Sequence, residues 1–255
     1  MPSSICQRAS GMERAYTPHH TGGMRVLAVG AHPDDVEFHC GGTLLLYRLG
    51  GHDVTVCVAT NGDKGSKRIP PGELAAIRQG EAREAAARLG AELIWLGFED
   101  GALQEGLAER MAFIEAVRKA RPDVVLAHDP DDYHPDHRAS ARLVRDALFL
   151  ATVPHVHTES PALESTPSLY WMDTGAAAFQ PTDYVDVTDV YAEKEELLAL
   201  HRSQWEWISD HSGVEIAEPM RVTNRFRGMA CGVRYAEAFR REWLAAGGSA
   251  VRLLP

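Results

Sequence analysis

The chain has 255 residues, 45% hydrophobic and 24% charged, the balance of an ordinary globular protein. Acidic side chains outnumber basic ones by 36 to 26, for a net charge of −10, and no basic stripe interrupts them. That charge excludes nucleic acid and anionic membrane surfaces as natural partners. The longest apolar runs have the length of strands, far short of the roughly 20 residues a membrane span needs.

Taken in chain order, the segment up to Gly23 has no apolar core of the kind a signal peptide carries and reads as a loose extension (1–23). One folded domain, 24–255, is expected to follow, since no linker-like shift in composition divides it. Strand signals lie at Met24–Ala31, Asp53–Thr60, Ala91–Gly97 and Asp123–Asp129. Helical patterns separate them at about Val36–Leu49, Gly72–Leu89 and Leu107–Ala120, with Gly90 placed to cap the second. Alternation of this kind predicts βαβ units in a Rossmann-like, doubly wound α/β fold with a mostly parallel sheet. A helix from about Asp136 to Leu150 follows, with Pro135 suited to its first turn. Beyond a proline-rich loop at Ala151–Pro167, the pattern suggests a smaller mixed part. Its expected elements are strands at Ser168–Met172 and Asp183–Val187 and helices near Val190–Gln204 and Glu218–Cys231. Four scattered cysteines without a C-x-x-C pair read as reduced thiols of a cytoplasmic protein.

Two polar clusters stand at strand ends. Ala31-His32-Pro33-Asp34-Asp35 follows Val26-Leu27-Ala28-Val29, and His134-Pro135-Asp136-His137 lies downstream of Val124-Val125-Leu126-Ala127. Ligands of open α/β sheets collect at the carboxyl ends of strands, so the two clusters can share one site. A catalytic zinc needs three protein ligands and an open position. His32 and Asp35, three apart in a strand-to-helix turn, can face one point, and His137 supplies a third ligand. Asp34 is left as a general base toward the activated water. His134 is placed to donate to an oxyanion, and Asp136 to orient a histidine through its other ring nitrogen. The plainer reading of either cluster alone is a helix cap beside a surface histidine. Two in one chain favour metal.

These clusters, with Gly41-Gly42-Thr43, resemble the PIG-L (LmbE-like) family of zinc-dependent N-deacetylases. Weaker echoes are Thr60-Asn61-Gly62-Asp63-Lys64-Gly65, Arg78-x-x-Glu81, Gly97-Phe98-Glu99-Asp100-Gly101 and Tyr235-Ala236-Glu237-Ala238-Phe239. The resemblance implies His32, Asp35 and His137 as zinc ligands, Asp34 as base and His134 as oxyanion stabiliser. Arg78 and Asp100 resemble positions that line the family's substrate pocket. It further implies removal of an N-acetyl group from an N-acetylglucosamine-type sugar or conjugate, and a homo-oligomer. Fe(II) would suit the same donors. The alternatives are a zinc amidase acting on a larger acyl or thiol conjugate and a metal-dependent hydratase on the same scaffold. A nucleotide-binding module is disfavoured, because the first strand turn lacks G-x-G-x-x-G. Tyr133 is a neighbour of the second cluster without an assigned part, and the 61–71 loop is a candidate lid.

Overall fold

The structure, a computed structural model, describes residues 23–175, 179–244 and 252–255. Apart from Gly23, the expected N-terminal extension lies outside them. Seven strands form one sheet: β1 (Arg25–Gly30), β2 (Asp53–Thr60), β3 (Glu92–Phe98), β4 (Val124–Ala127), β5 (Ser168–Met172), β6 (Asp183–Asp186) and β7 (Ala236–Glu242). Their spatial order is β3-β2-β1-β4-β5-β7-β6. The first five are parallel, and β7 runs antiparallel to both of its neighbours. The helices are α1 (Asp35–Leu49), α2 (Pro71–Leu89), α3 (Leu107–Ala120), α4 (Pro135–Leu150), α5 (Tyr191–Ala199), α6 (Arg202–Ser212) and α7 (Ala217–Cys231).

Period-two alternation explains why the parallel strands read as unbroken apolar runs. In β1, Val26 and Ala28 enter one core with Leu44, Tyr47 and Leu198, while Leu27 and Val29 enter a second with Phe113, Leu143 and Val144. Helices therefore cover both faces, as expected of a doubly wound sheet. Gly90 caps α2 in the left-handed region at φ 74°, and Pro135 opens α4.

Two elements depart from the sequence reading. The helix expected at Val190–Gln204 is two helices, broken at Leu200–His201, where the chain turns His201 into the interior opposite Glu37. Strand β7 carried no strand signal because four of its seven residues are charged. Each of the charges nearest the core has a partner: Glu237 meets Lys194 at 2.6 Å, Arg240 meets Asp129 at 2.6 Å, and Glu242 accepts from Trp171 Nε1 at 2.8 Å. Paired in this way, Glu237, Arg240 and Glu242 occupy an interior strand, while the Arg241 guanidinium lies over the rings of Tyr170 and Trp243.

β1 lies at the topological switch point. Its neighbours are β2 on one side and β4 on the other, Ala28 registering with Leu126 and Val29 with Ala127. The crevice beyond these strand ends receives both polar clusters.

Candidate active site

Residues 31–34 form a tight turn between β1 and α1. Asp35 closes it, its Oδ2 accepting from the His32 backbone N–H at 2.6 Å. Asp34 stands at φ 120°, ψ −24° and makes no side-chain cap bond to the helix. Only Asp34 and Arg121 among the described non-glycine residues have positive φ. Such a backbone costs on the order of 1–3 kcal/mol and persists where surrounding contacts enforce it.

His32 Nδ1 lies 3.3 Å from Asp35 Oδ2 and 3.2 Å from His137 Nε2, and His137 Nε2 lies 3.4 Å from Asp35 Oδ1. A tetrahedral ion with bonds of about 2.0–2.1 Å spaces its ligand atoms by about 3.3–3.4 Å, close to the separation of the two histidine nitrogens and to that of each from one oxygen of the Asp35 carboxylate, so these residues could hold a zinc-like ion. The remaining ring nitrogens are held from behind. His32 Nε2 is 3.2 Å from both Asp100 Oδ1 and Asp136 Oδ2, and His137 Nδ1 is 3.1 Å from Asp132 Oδ2. Carboxylates in this position fix the imidazole tautomer and strengthen it as a ligand. Asp136 is itself anchored by the N–H groups of Gly101 at 2.7 Å and Leu103 at 3.2 Å.

The electrostatics favour positive charge at this point. Burial works against a charged His137, but Asp35 and Asp132 outweigh it and raise the ring to about 9. Burial likewise opposes a charged His32, which Asp35, Asp100 and Asp136 bring well above the ordinary imidazole value. Asp35 would be raised by burial, yet His137, His128 and His32 hold it well below the usual carboxylate range.

Asp34 behaves differently. Burial pushes its carboxyl up to about 6, and the Arg78 guanidinium, 3.2 Å away, only partly opposes this. His134 caps α4, its Nδ1 accepting from Asp136 N–H at 3.2 Å. The ring proton must then sit on Nε2. Burial, and after it the charges of His32 and His137, lower the His134 pKa, leaving a neutral imidazole with an N–H donor. Arg78 is 3% exposed, and Asp100 is buried against His32. Tyr133 is 80% exposed, and its ring centre is 6.0 Å from that of His137.

Several site residues escaped the sequence reading. Asp132 carries no signal in the sequence, although its Oδ2 lies 3.1 Å from His137 Nδ1 and its Oδ1 accepts from His134 N–H at 2.9 Å. His128 was absorbed into the fourth strand signal, but it stands just past β4, stacks 3.8 Å from His137 and reaches Asp35 Oδ2 at 3.0 Å. Burial and the neighbouring His137 charge push it down to about 3, so it is neutral. His39 follows Asp35 by four residues, the spacing of one helix face, and its Nδ1 meets the Asp173 carbonyl at 2.8 Å. Strand-end position and helical spacing were the available signals.

Residues 27–148 match the family model described as PIG-L: GlcNAc-PI de-N-acetylase. A diacetylchitobiose deacetylase of Thermococcus kodakarensis is 30% identical over 223 residues, covering 85% of this chain and 82% of that protein. The chain belongs to the PIG-L family. A 1D-myo-inositol 2-acetamido-2-deoxy-alpha-D-glucopyranoside deacetylase of Rhodococcus opacus is 31% identical over 61% of this chain and 63% of its own length. The N,N'-diacetylchitobiose deacetylase of Pyrococcus horikoshii superposes with a TM-score of 0.76 at 29% identity, covering 85% of this chain and 83% of that one. This PIG-L member shares the α/β architecture of that solved structure. No helix among the described residues is long and apolar enough to cross a membrane.

Proposed function

We propose that this PIG-L protein is a zinc-dependent N-deacetylase that releases acetate from an N-acetylglucosamine-type sugar or sugar conjugate. The observation that carries the reading is the set of 3.2–3.4 Å approaches among His32 Nδ1, His137 Nε2 and the Asp35 carboxylate, with the Asp34 carboxylate, held by Arg78, beside them. Zinc, held by those three residues, would supply Lewis acidity that brings the pKa of water toward neutrality and polarises an amide carbonyl.

The chain's own residues do the rest. Asp34, ionised above about 6, takes a proton from the attacking water as its oxygen joins the acetamide carbon. His134 Nε2–H donates to the oxygen that becomes negative in the tetrahedral intermediate. Protonated Asp34 then returns the proton to the departing nitrogen, and the C–N bond breaks to give a free amine and acetate. Asp132, Asp136 and Asp100 hold the histidines throughout. The similarity to deacetylases of diacetylchitobiose and of an N-acetylglucosamine–inositol conjugate supports this substrate class. A soluble cytoplasmic homo-oligomer with a small-molecule substrate fits the same reading.

The test is acetate release from a panel of N-acetylated amino sugars and conjugates by protein of measured metal content, with Asp34→Ala as control. We expect release that requires both metal and Asp34, the variant keeping its metal. Full metal content with no acetate from any panel member would remove this reading in favour of a larger-acyl amidase or a hydratase.

A further inference from the structure

We infer that Arg78 is a positioning residue for the base, holding the strained Pro33–Asp34 peptide so that the Asp34 carboxylate stays aimed into the site. The inference rests on Asp34 acting as the base in the proposed reaction. It gives Arg78 a role other than gripping a sugar hydroxyl.

The geometry is specific. Arg78 Nη2 donates to Pro33 O at 2.5 Å and to Asp34 Oδ2 at 3.2 Å. These acceptors lie on opposite sides of the Asp34 N–Cα bond, one on the preceding peptide and one on the side chain. A single nitrogen tied to both fixes rotation about that bond, and that rotation is φ, which stands at 120°. Nη1 donates to Gly62 O at 3.0 Å. Both terminal nitrogens are thus committed to the protein, and the residue is almost fully buried.

Gly62 completes the device. A Cβ at this position would come within 2.5 Å of Arg78 Nη1, 2.6 Å of Cζ and 2.7 Å of Nε. The guanidinium lies flat against the bare glycine backbone, whose own φ of 65° suits glycine. Gly65 approaches the same group, with a Cβ there 3.2 Å from Nη1. The loop after β2 therefore walls in the guanidinium on one side, while the turn after β1 receives its bonds on the other. A surface ion-pair partner, the ordinary lot of an arginine in an Arg/Glu-rich helix, would be neither buried nor walled.

Positioning and sugar binding make different kinetic predictions. A displaced base slows the chemical step, and errors near 1 Å can cost about 10²-fold. A lost sugar contact weakens binding of ground and transition states alike and raises KM. For Arg78→Met we expect kcat to fall about 10²-fold with KM changed less than about threefold, and Arg78→Lys to recover part of the loss. Gly62→Ala keeps the charge but pushes the guanidinium aside, and should show the same loss confined to kcat. A rise in KM with kcat unchanged in Arg78→Met or Arg78→Lys would overturn the inference. If the wild type releases no acetate from any panel member, the proposed reaction fails and the backbone itself becomes the readout. Relaxation of Asp34 to negative φ in a crystal structure of Arg78→Met, or of Arg78→Lys should the first not fold, supports the inference. Retention of φ near 120° there refutes it.

Discussion

The residues of this site divide the work by environment, since neighbouring carboxylates are driven in opposite directions. Asp34 and Asp35 are consecutive, one partly and one fully buried, yet Asp35 faces three imidazoles while Asp34 faces one guanidinium. One is held ionised, as the proposed ligand role needs, and the other titrates near the pH at which a base is useful. The base must be ionised to accept a proton. Turnover should therefore fall about tenfold per pH unit below about 6 and level off above it, as a pH–rate profile will show. His134→Ala should lower kcat by about 10²–10³, as loss of an oxyanion donor does, with little change in metal content. The spacing of His32, Asp35 and His137 made the triangle legible in the sequence. Asp132 and His128 were not legible, because a residue that acts only by touching a ligand from behind has no spacing rule of its own.

Among the elements, the parallel strands and α1–α4 could be read because burial on both faces leaves continuous apolar runs. β7 could not, because the ion-pair partners of Glu237, Arg240 and Glu242 are distant in sequence. Glu237 accepts from the backbone N–H groups of Gly42 at 2.9 Å and Thr43 at 2.7 Å as well as from Lys194, so one carboxylate joins α1, α5 and β7. Removing one partner of such a buried pair leaves an unpaired charge and typically costs 3–5 kcal/mol. Lys194→Met should destabilise the protein by roughly that amount in urea denaturation, and adding Glu237→Leu should restore part of it. A double variant no more stable than the single would show that Glu237 does not depend on Lys194. The break between α5 and α6 escaped notice for a related reason. His201 is accommodated inside by Glu37, 3.2 Å away, a contact invisible to helical periodicity.

For the molecule as a whole, the proposed metal ligands come from the first and fourth helix starts, His32 and His137 being 105 residues apart. A bound ion would therefore tie together the two sides of the β1/β4 crevice. Chelation should abolish turnover and lower the melting temperature, and zinc should restore both. At a hundredfold excess over its Kd, a ligand of the folded state contributes about 2.7 kcal/mol. Protons compete for the same atoms, His137 with a pKa of about 9, so metal occupancy should fall as pH falls. Equilibrium dialysis across pH 5–9 would show this as an apparent Kd that tightens with rising pH.

The position of β7 between β5 and β6 has a consequence for how the chain acquires this shape. Among the described residues β6 pairs only with β7, which lies about fifty residues further along the chain. Until residues 236–242 leave the ribosome, β6 has no strand to join and β5 presents an open edge. The pairing of the five parallel strands with one another, which frames the crevice between β1 and β4, has no such dependence. During synthesis the catalytic half can assemble while the other margin of the sheet still waits, exposed to pairing with another nascent chain. Aggregation of arrested chains should therefore drop sharply once release passes Glu242.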